Sequence, residues 1–326
     1  MKQEGQAKYL GDWLSCLGLS GSVAVTVAKR KGLAMQSVYE ARAVIDDCRS
    51  QVCGGLAAGL DIWKMAILPM LLYNAECWQE ISFETTQELE NIQKKFYKCL
   101  FAVGSGCPTT ALYWQTGGTM MKYRILMRKL LFLHHVATLP TDSLAREVYE
   151  VQEKLDLPGL VQECKEFLVK NGITKVSKYS SQQWKNLVKV KIAEMNKADL
   201  VSEMKSSTKM KNIDFDNAKF ERQAYLSDLY LHEARMRFKI HSLMTPNVKM
   251  NFPSDAEFSK QLWACSGCAV SVGGGGEVTG SRDTQQHIMI CPGYAEIREG
   301  MNLENDRDLV KYFAKVIKQR QDDDNV

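Results

Sequence analysis

The stretch Glu84-Thr-Thr-Gln-Glu-Leu-Glu-Asn-Ile-Gln-Lys-Lys-Phe-Tyr-Lys-Cys-Leu-Phe-Ala-Val103 decides the fold class. Leu89, Ile92, Phe96, Cys99, Leu100 and Val103 recur at offsets 0, 3, 7, 10, 11 and 14, one apolar face at the helical period. Glu84, Glu88 and Glu90 stand early and Lys94, Lys95 and Lys98 late, the order that complements a helix dipole. The same period recurs along most of the chain, so the expected fold is mainly α.

Upstream, residues 56–78 are apolar on nearly all sides and predict a buried central helix, with a kink at Pro69, which removes one i→i−4 bond. Residues 22–52 predict a long helix with Ser22 as its N-cap. Residues 8–15, Lys-Tyr-Leu-Gly-Asp-Trp-Leu-Ser, read as one short strand with no sheet to join. Downstream, helices are expected over 109–116, 120–138, 143–155, 160–170, 181–205, 225–244 and 306–320, with a disordered tail at 322–324. Composition shifts toward charge after Pro140, which suggests three regions, 1–139, 140–260 and 261–326.

The hydrophobic fraction of 45% is ample for real cores, and a net charge of +4 is too mild to imply a polyanion partner globally. Local clustering is more telling. Residues 165–211 carry eleven lysines against Glu166, Glu194, Asp199 and Glu203, either a phosphate-facing surface or a solvated helix face. Arg124, Arg128 and His135 fall at offsets 0, 4 and 11, and Asp228, His232, Arg235 and Lys239 at 0, 4, 7 and 11. No signal peptide is recognisable, and the most apolar run, 62–73, contains Lys64 and Pro69 and falls short of the ~20 residues a span needs. An intracellular, reducing location, nuclear or cytoplasmic, is expected. Most of the ten cysteines then read as small buried hydrophobes.

Four residues are different. Cys265-Ser-Gly-Cys268 is followed by eighteen residues and then His287-Ile-Met-Ile-Cys291. A Cys-x₂-Cys and a His-x₃-Cys pair are what a tetrahedral Zn²⁺ needs, and four protein donors leave no open position, so the ion would be structural. The Gly273–Gly276 run lies in the loop between the pairs and lacks the Lys-Ser/Thr of a nucleotide cradle. Asp46-Asp47 sits in a helical run, without the aromatic residue and hairpin of a polymerase metal site, and His134-His135 lies among core residues. No catalytic residue is expected.

Several segments together resemble one family. Lys8-Tyr-Leu-Gly11, Ile67-Leu-Pro-Met-Leu-Leu-Tyr-Asn-Ala-Glu-Cys-Trp78, Arg128-Lys-Leu-Leu-Phe-Leu-His-His135, Glu233-Ala-Arg-Met-Arg-Phe-Lys239 and the Cys265, Cys268, His287, Cys291-Pro292 set are similar, in this order, to the C-terminal half of non-LTR (LINE-type) retrotransposon reverse transcriptases. The resemblance implies a helical thumb-like bundle, a helical connector and a small zinc-stapled C-terminal module, following a palm that lies outside this sequence. It implies RNA or DNA (template and primer) as partner, with Arg124, Arg128, Arg235, Arg237 and Lys239 on phosphates. It implies structural Zn²⁺, and Mg²⁺ only where another chain supplies the palm carboxylates, so no RNA-directed DNA polymerase activity from this chain alone. A zinc-stapled protein–protein interaction module, binding a palm domain or another protein on an exposed apolar face, or a non-functional retroelement remnant, is the alternative reading. No membrane partner is expected.

Overall fold

A computed structural model describes residues 6–16, 18–47, 54–207, 210, 219–242, 288–289, 291 and 294–323. Helix accounts for 73% of these residues and strand for 3%, so the chain is mainly α, as its periodicity predicts. In chain order the elements are β1 (Gln6–Tyr9), β2 (Asp12–Ser15), α1 (Gly18–Asp47), α2 (Gly55–Ile62), α3 (Leu68–Leu71), α4 (Phe83–Phe101), α5 (Thr109–Thr116), α6 (Met121–Ala137), α7 (Leu144–Leu155), α8 (Leu160–Lys170), α9 (Ser181–Ser206), α10 (Tyr225–Asp228), α11 (Leu231–His241), α12 (Ala295–Arg298) and α13 (Asp306–Asp323). The chain clusters into two compact units, 1–42 with 61–97 and 118–201, and 43–60 with 98–117 and 202–326. Both are discontinuous in sequence, so they follow contacts that composition alone does not reveal.

In the first unit the expected single strand is a hairpin, β1 antiparallel to β2 with Tyr9 opposite Asp12 and Ala7 opposite Leu14. Leu10 (φ 46°) and Gly11 (φ 89°) make the turn, the left-handed pair that matches the twist of two-residue hairpins. The sequence reading missed the reversal because Leu10 is a poor turn residue and only Gly11 signals it. The Trp13 and Ser15 N–H groups donate to Thr26 Oγ1 and Ser22 Oγ at 2.8 and 2.9 Å, so Ser22 anchors the hairpin to α1 rather than capping a helix.

The expected kink at Pro69 takes another form. Residues Trp63–Ile67 form a π-turn, and Pro69 follows in the first turn of α3. Pro69 has no N–H for the Met65 carbonyl, and widening the preceding turn accommodates that loss. Trp63 in this turn stacks on Phe96 of α4, ring centroids 4.7 Å apart, and Leu71 and Leu72 are fully buried. Met65 and Tyr73 are exposed, so this segment is buried on most sides rather than all.

Helix α6 is the hub of this unit. Its first N–H groups, which have no partner inside the helix, are met by distant side chains: Met120 N–H donates to Asn196 Oδ1 at 3.0 Å and Met121 N–H to Glu90 Oε2 at 2.8 Å. Trp184 of α9 is buried and donates from Nε1 to the Leu130 carbonyl at 2.8 Å. His134 stacks on Trp184 with centroids 5.8 Å apart, and its Nε2 lies 2.8 Å from the Tyr179 carbonyl, which can only accept. His134 is therefore a satisfied core histidine.

The second unit has its own core. Phe101 packs on Phe238 at 4.3 Å, and Ile240, Ile288, Cys291, Tyr294, Leu309, Val310, Tyr312, Phe313 and Val316 form one cluster. Gly59 allows the closest approach: a Cβ there would lie 2.8 Å from Ile45 Cδ1 and nearer still to Leu100. The helix expected over 225–244 is broken. Leu229 is extended (φ −101°, ψ 155°), separating α10 from α11, so Asp228 does not share a helix face with His232, Arg235 and Lys239. At the C-terminus α13 continues through Asp322 and Asp323, beyond the expected end at Arg320.

Cys107 and Cys164 are buried as expected, whereas Cys16 and Cys77 are exposed. Burial pushes the Cys164 thiol up to about 12. Cys48 and Cys53 lie outside the described residues. Among the described residues, no helix is long and apolar enough to cross a membrane.

Candidate nucleic-acid interface and metal site

The five basic residues singled out in the sequence do not share one environment. Arg124 and Arg128 of α6 belong to the first unit. Arg124 Nε donates to the Thr119 carbonyl at 3.0 Å, and Arg128 Nη1 meets Glu76 Oε2 at 3.4 Å. Arg235, Arg237 and Lys239 lie on α11 in the second unit. Arg235 is mostly buried: Nε donates to the Leu100 carbonyl at 2.9 Å and Nη2 lies 2.9 Å from Asp46 Oδ1. Arg237 pairs with Asp306. Lys239 is half-buried, without a hydrogen bond or ion pair from its side chain among the described residues. Arg128, Arg235 and Arg237 thus meet carboxylates of their own chain. Asp46 is one of them, which gives that carboxylate a structural role, while Asp47 is exposed.

Free cationic charge is concentrated elsewhere. Lys175 and Lys178 around a short 3₁₀ turn (Val176–Lys178), and Lys185 and Lys189 on α9, are exposed and have no carboxylate partner among the described residues. Trp184, Val188, Ile192 and Asn196 turn one side of α9 into the unit, while Lys185 and Lys189, one helical turn apart on the flank of that side, are exposed. On the same helix Lys191 pairs with Glu194 at 2.9 Å, and Lys122 of α6 meets Asp199 at 2.5 Å. Asp199 also accepts from the Tyr123 hydroxyl at 2.7 Å. Burial alone would raise the Asp199 pKa, but the bonds from Lys122 and Tyr123 outweigh it and hold the carboxyl below its usual range. Conversely, burial and the Asp199 carboxylate push the Tyr123 phenol up. The lysine excess was legible in the sequence; which lysines are spent on internal pairs was not.

Of the expected zinc ligands, Cys265, Cys268 and His287 lie outside the described residues, and Cys291 is fully buried in the apolar cluster of the second unit. Arg298 Nη1 donates to the Cys291 carbonyl at 2.8 Å, and the Tyr312 hydroxyl donates to the Ile288 carbonyl at 2.5 Å. Burial raises the Tyr312 pKa against the opposing effect of Arg298, which keeps the hydroxyl protonated as a donor. Two side chains therefore bond the carbonyls of Ile288 and Cys291, both within the His-x₃-Cys segment. A buried thiol in an apolar wall can remain a small hydrophobe, or be held as thiolate by a cation that compensates its charge. By donor type, three thiols and an imidazole fit Zn²⁺, and Cys291 is the one of the four among the described residues.

Comparisons with family models, with curated proteins and with solved structures gave no match.

Proposed function

We propose that the chain is a nucleic-acid-binding helical protein, the thumb-, connector- and zinc-module-like part of a non-LTR retrotransposon reverse transcriptase, without polymerase chemistry of its own. The observation that carries this reading is the set Lys175, Lys178, Lys185 and Lys189, exposed and without carboxylate partners among the described residues. Cations of this kind release counterions from a phosphate backbone on binding, which favours association at low salt. Lys239 and the guanidinium edge of Arg124 are further contacts, whereas Arg128, Arg235 and Arg237 serve first to hold their helices in place. Zn²⁺ on Cys265, Cys268, His287 and Cys291 would order the C-terminal module and take no part in chemistry. RNA-directed DNA synthesis would require the Mg²⁺-binding carboxylates of a palm supplied by another chain.

A fluorescence-anisotropy titration of a labelled RNA and a labelled DNA at increasing salt tests this reading. Affinity that falls linearly on logarithmic axes supports it; affinity absent at low salt, or indifferent to salt, sinks it. One observation favours the second reading, a protein-interaction module. Ala7, Tyr9 and Leu14 share the hairpin face that is open to solvent, and Leu10 projects at its turn.

A further inference from the structure

Helix α7 is amphipathic, yet it is docked with its apolar stripe outward. Tyr149 is its only buried side chain, flanked by the half-buried Arg146 and Gln152. Leu144, Val148, Val151 and Leu155, at offsets 0, 4, 7 and 11, are 74%, 48%, 43% and 60% exposed. At 100° per residue their mean direction lies well over 90° from that of Tyr149, so no rotation of side chains alone can bury them. Such spacing is the seam of a coiled coil, with Val148 and Leu155 at a and Leu144 and Val151 at d.

We propose that this stripe is the contact between two copies of the chain, paired as an antiparallel two-helix seam. The stripe is a palindrome in residue type, Leu-Val-Val-Leu. Turned about a two-fold axis, Leu144 meets Leu155 of the second copy and Val148 meets Val151, so every layer matches like with like in size. The flanking charges select the orientation. Glu147 and Lys154 occupy the two g positions, are exposed, and have no ion-pair partner among the described residues. In an antiparallel pair g faces g, so Glu147 meets Lys154 of the other copy twice over. In a parallel pair Glu147 would face Gln152 and Lys154 would face Gly159, with no charge matched. Ala145 and Gln152, at e, bring no like charges together.

A helix of twelve residues spans about 18 Å. The seam alone falls below the ~1,200 Å² of a standard interface, so the dimer is weak, with a dissociation constant of roughly 10–100 μM. This inference does not rest on nucleic-acid binding and stands or falls separately.

Sedimentation equilibrium of the full chain from about 1 to about 500 μM tests it. A monomer–dimer equilibrium is expected, weakened tenfold or more in Val148→Asp/Val151→Asp. Glu147→Lys and Lys154→Glu should each weaken it, while the double variant Glu147→Lys/Lys154→Glu, and an equimolar mixture of the two single variants, restore it. Because all four positions are solvent-exposed, the variants keep their fold, checked by far-UV circular dichroism. A chain that stays monomeric throughout, a dimer untouched by Val148→Asp/Val151→Asp, or a double charge swap no better than its single components would each overturn the proposal.

Discussion

Arg30 Nη2 lies 2.6 Å from Asp12 Oδ1, joining the middle of α1 to the β-hairpin. The same guanidinium donates to the Gly11 carbonyl at 2.9 Å and the Tyr73 carbonyl at 2.7 Å, and sits 5.5 Å from the Tyr73 ring centre and 5.6 Å from that of Trp78. Asn74, in the left-handed region at φ 56°, adds donors to the Leu10 carbonyl and Asp12 Oδ2 at 3.3 and 3.1 Å. Burial lowers the Arg30 pKa, with Asp12 opposing that effect, and the group remains a cation. Tyr73, Asn74 and Trp78 thus act together as a cage that fixes the hairpin.

Removing Arg30 should free that hairpin. Arg30→Met leaves Asp12 without its cation and the Gly11 and Tyr73 carbonyls without a donor, a loss of roughly 3 kcal/mol. Hydrogen exchange would show protection lost first over β1 and β2. Uniform protection across both strands in the variant would contradict the cage.

Trp184 is the second structural test. Trp184→Ala empties the site between α6 and α9 and removes the Nε1–Leu130 bond, and should cost roughly 3–5 kcal/mol in denaturant unfolding. A loss under about 1 kcal/mol would mean that the α6–α9 packing is not the core of the first unit.

Acid should loosen α9 from α6. The Asp199 carboxyl is held below its usual value, so the Lys122–Asp199–Tyr123 contact stabilises the fold above the unfolded pKa. That contribution fades as pH falls through the depressed folded value, on the acid side of the ordinary carboxylate range near 4. Asp199→Asn should flatten this part of the pH–stability curve relative to wild type between roughly pH 5 and pH 2. An identical curve would remove Asp199 from the account.

Helical periodicity placed α4, α5, α8 and α9 almost to the residue, because each carries its own apolar stripe and stop signals. The misplacements have local physical causes. The hairpin was hidden by a leucine in a positive-φ turn, the break after Asp228 by two residues of ordinary helix propensity, and the π-turn by a proline that normally announces a kink. For the interface, sequence gave the lysine excess and the candidate arginines. It could not tell that Arg235 is taken by Asp46, more than 180 residues away, or Arg237 by Asp306. Pairings between residues distant in sequence leave no mark at helical spacing.

Zinc is the next test. The chain purified without chelator should carry one Zn²⁺, and its removal should lower protection around Cys291 and α13 while leaving α6 and α9 unchanged. Cys265→Ser with Cys268→Ser should mimic that result. A metal-free chain with an intact Ile288–Tyr312 cluster would make Cys291 a core residue and nothing more.

The central claim is that exposed lysines of α9 and the turn before it hold a phosphate backbone. The direct measurement is the salt dependence of nucleic-acid affinity in wild type, in Lys185→Ala/Lys189→Ala, and in Arg235→Ala. Each lost phosphate contact should lower the slope of log affinity against log salt by about 1, so the double lysine variant should lose up to about 2. Arg235→Ala should lose stability, roughly 3 kcal/mol, with its slope unchanged. Equal slopes in wild type and the lysine variant would contradict the account.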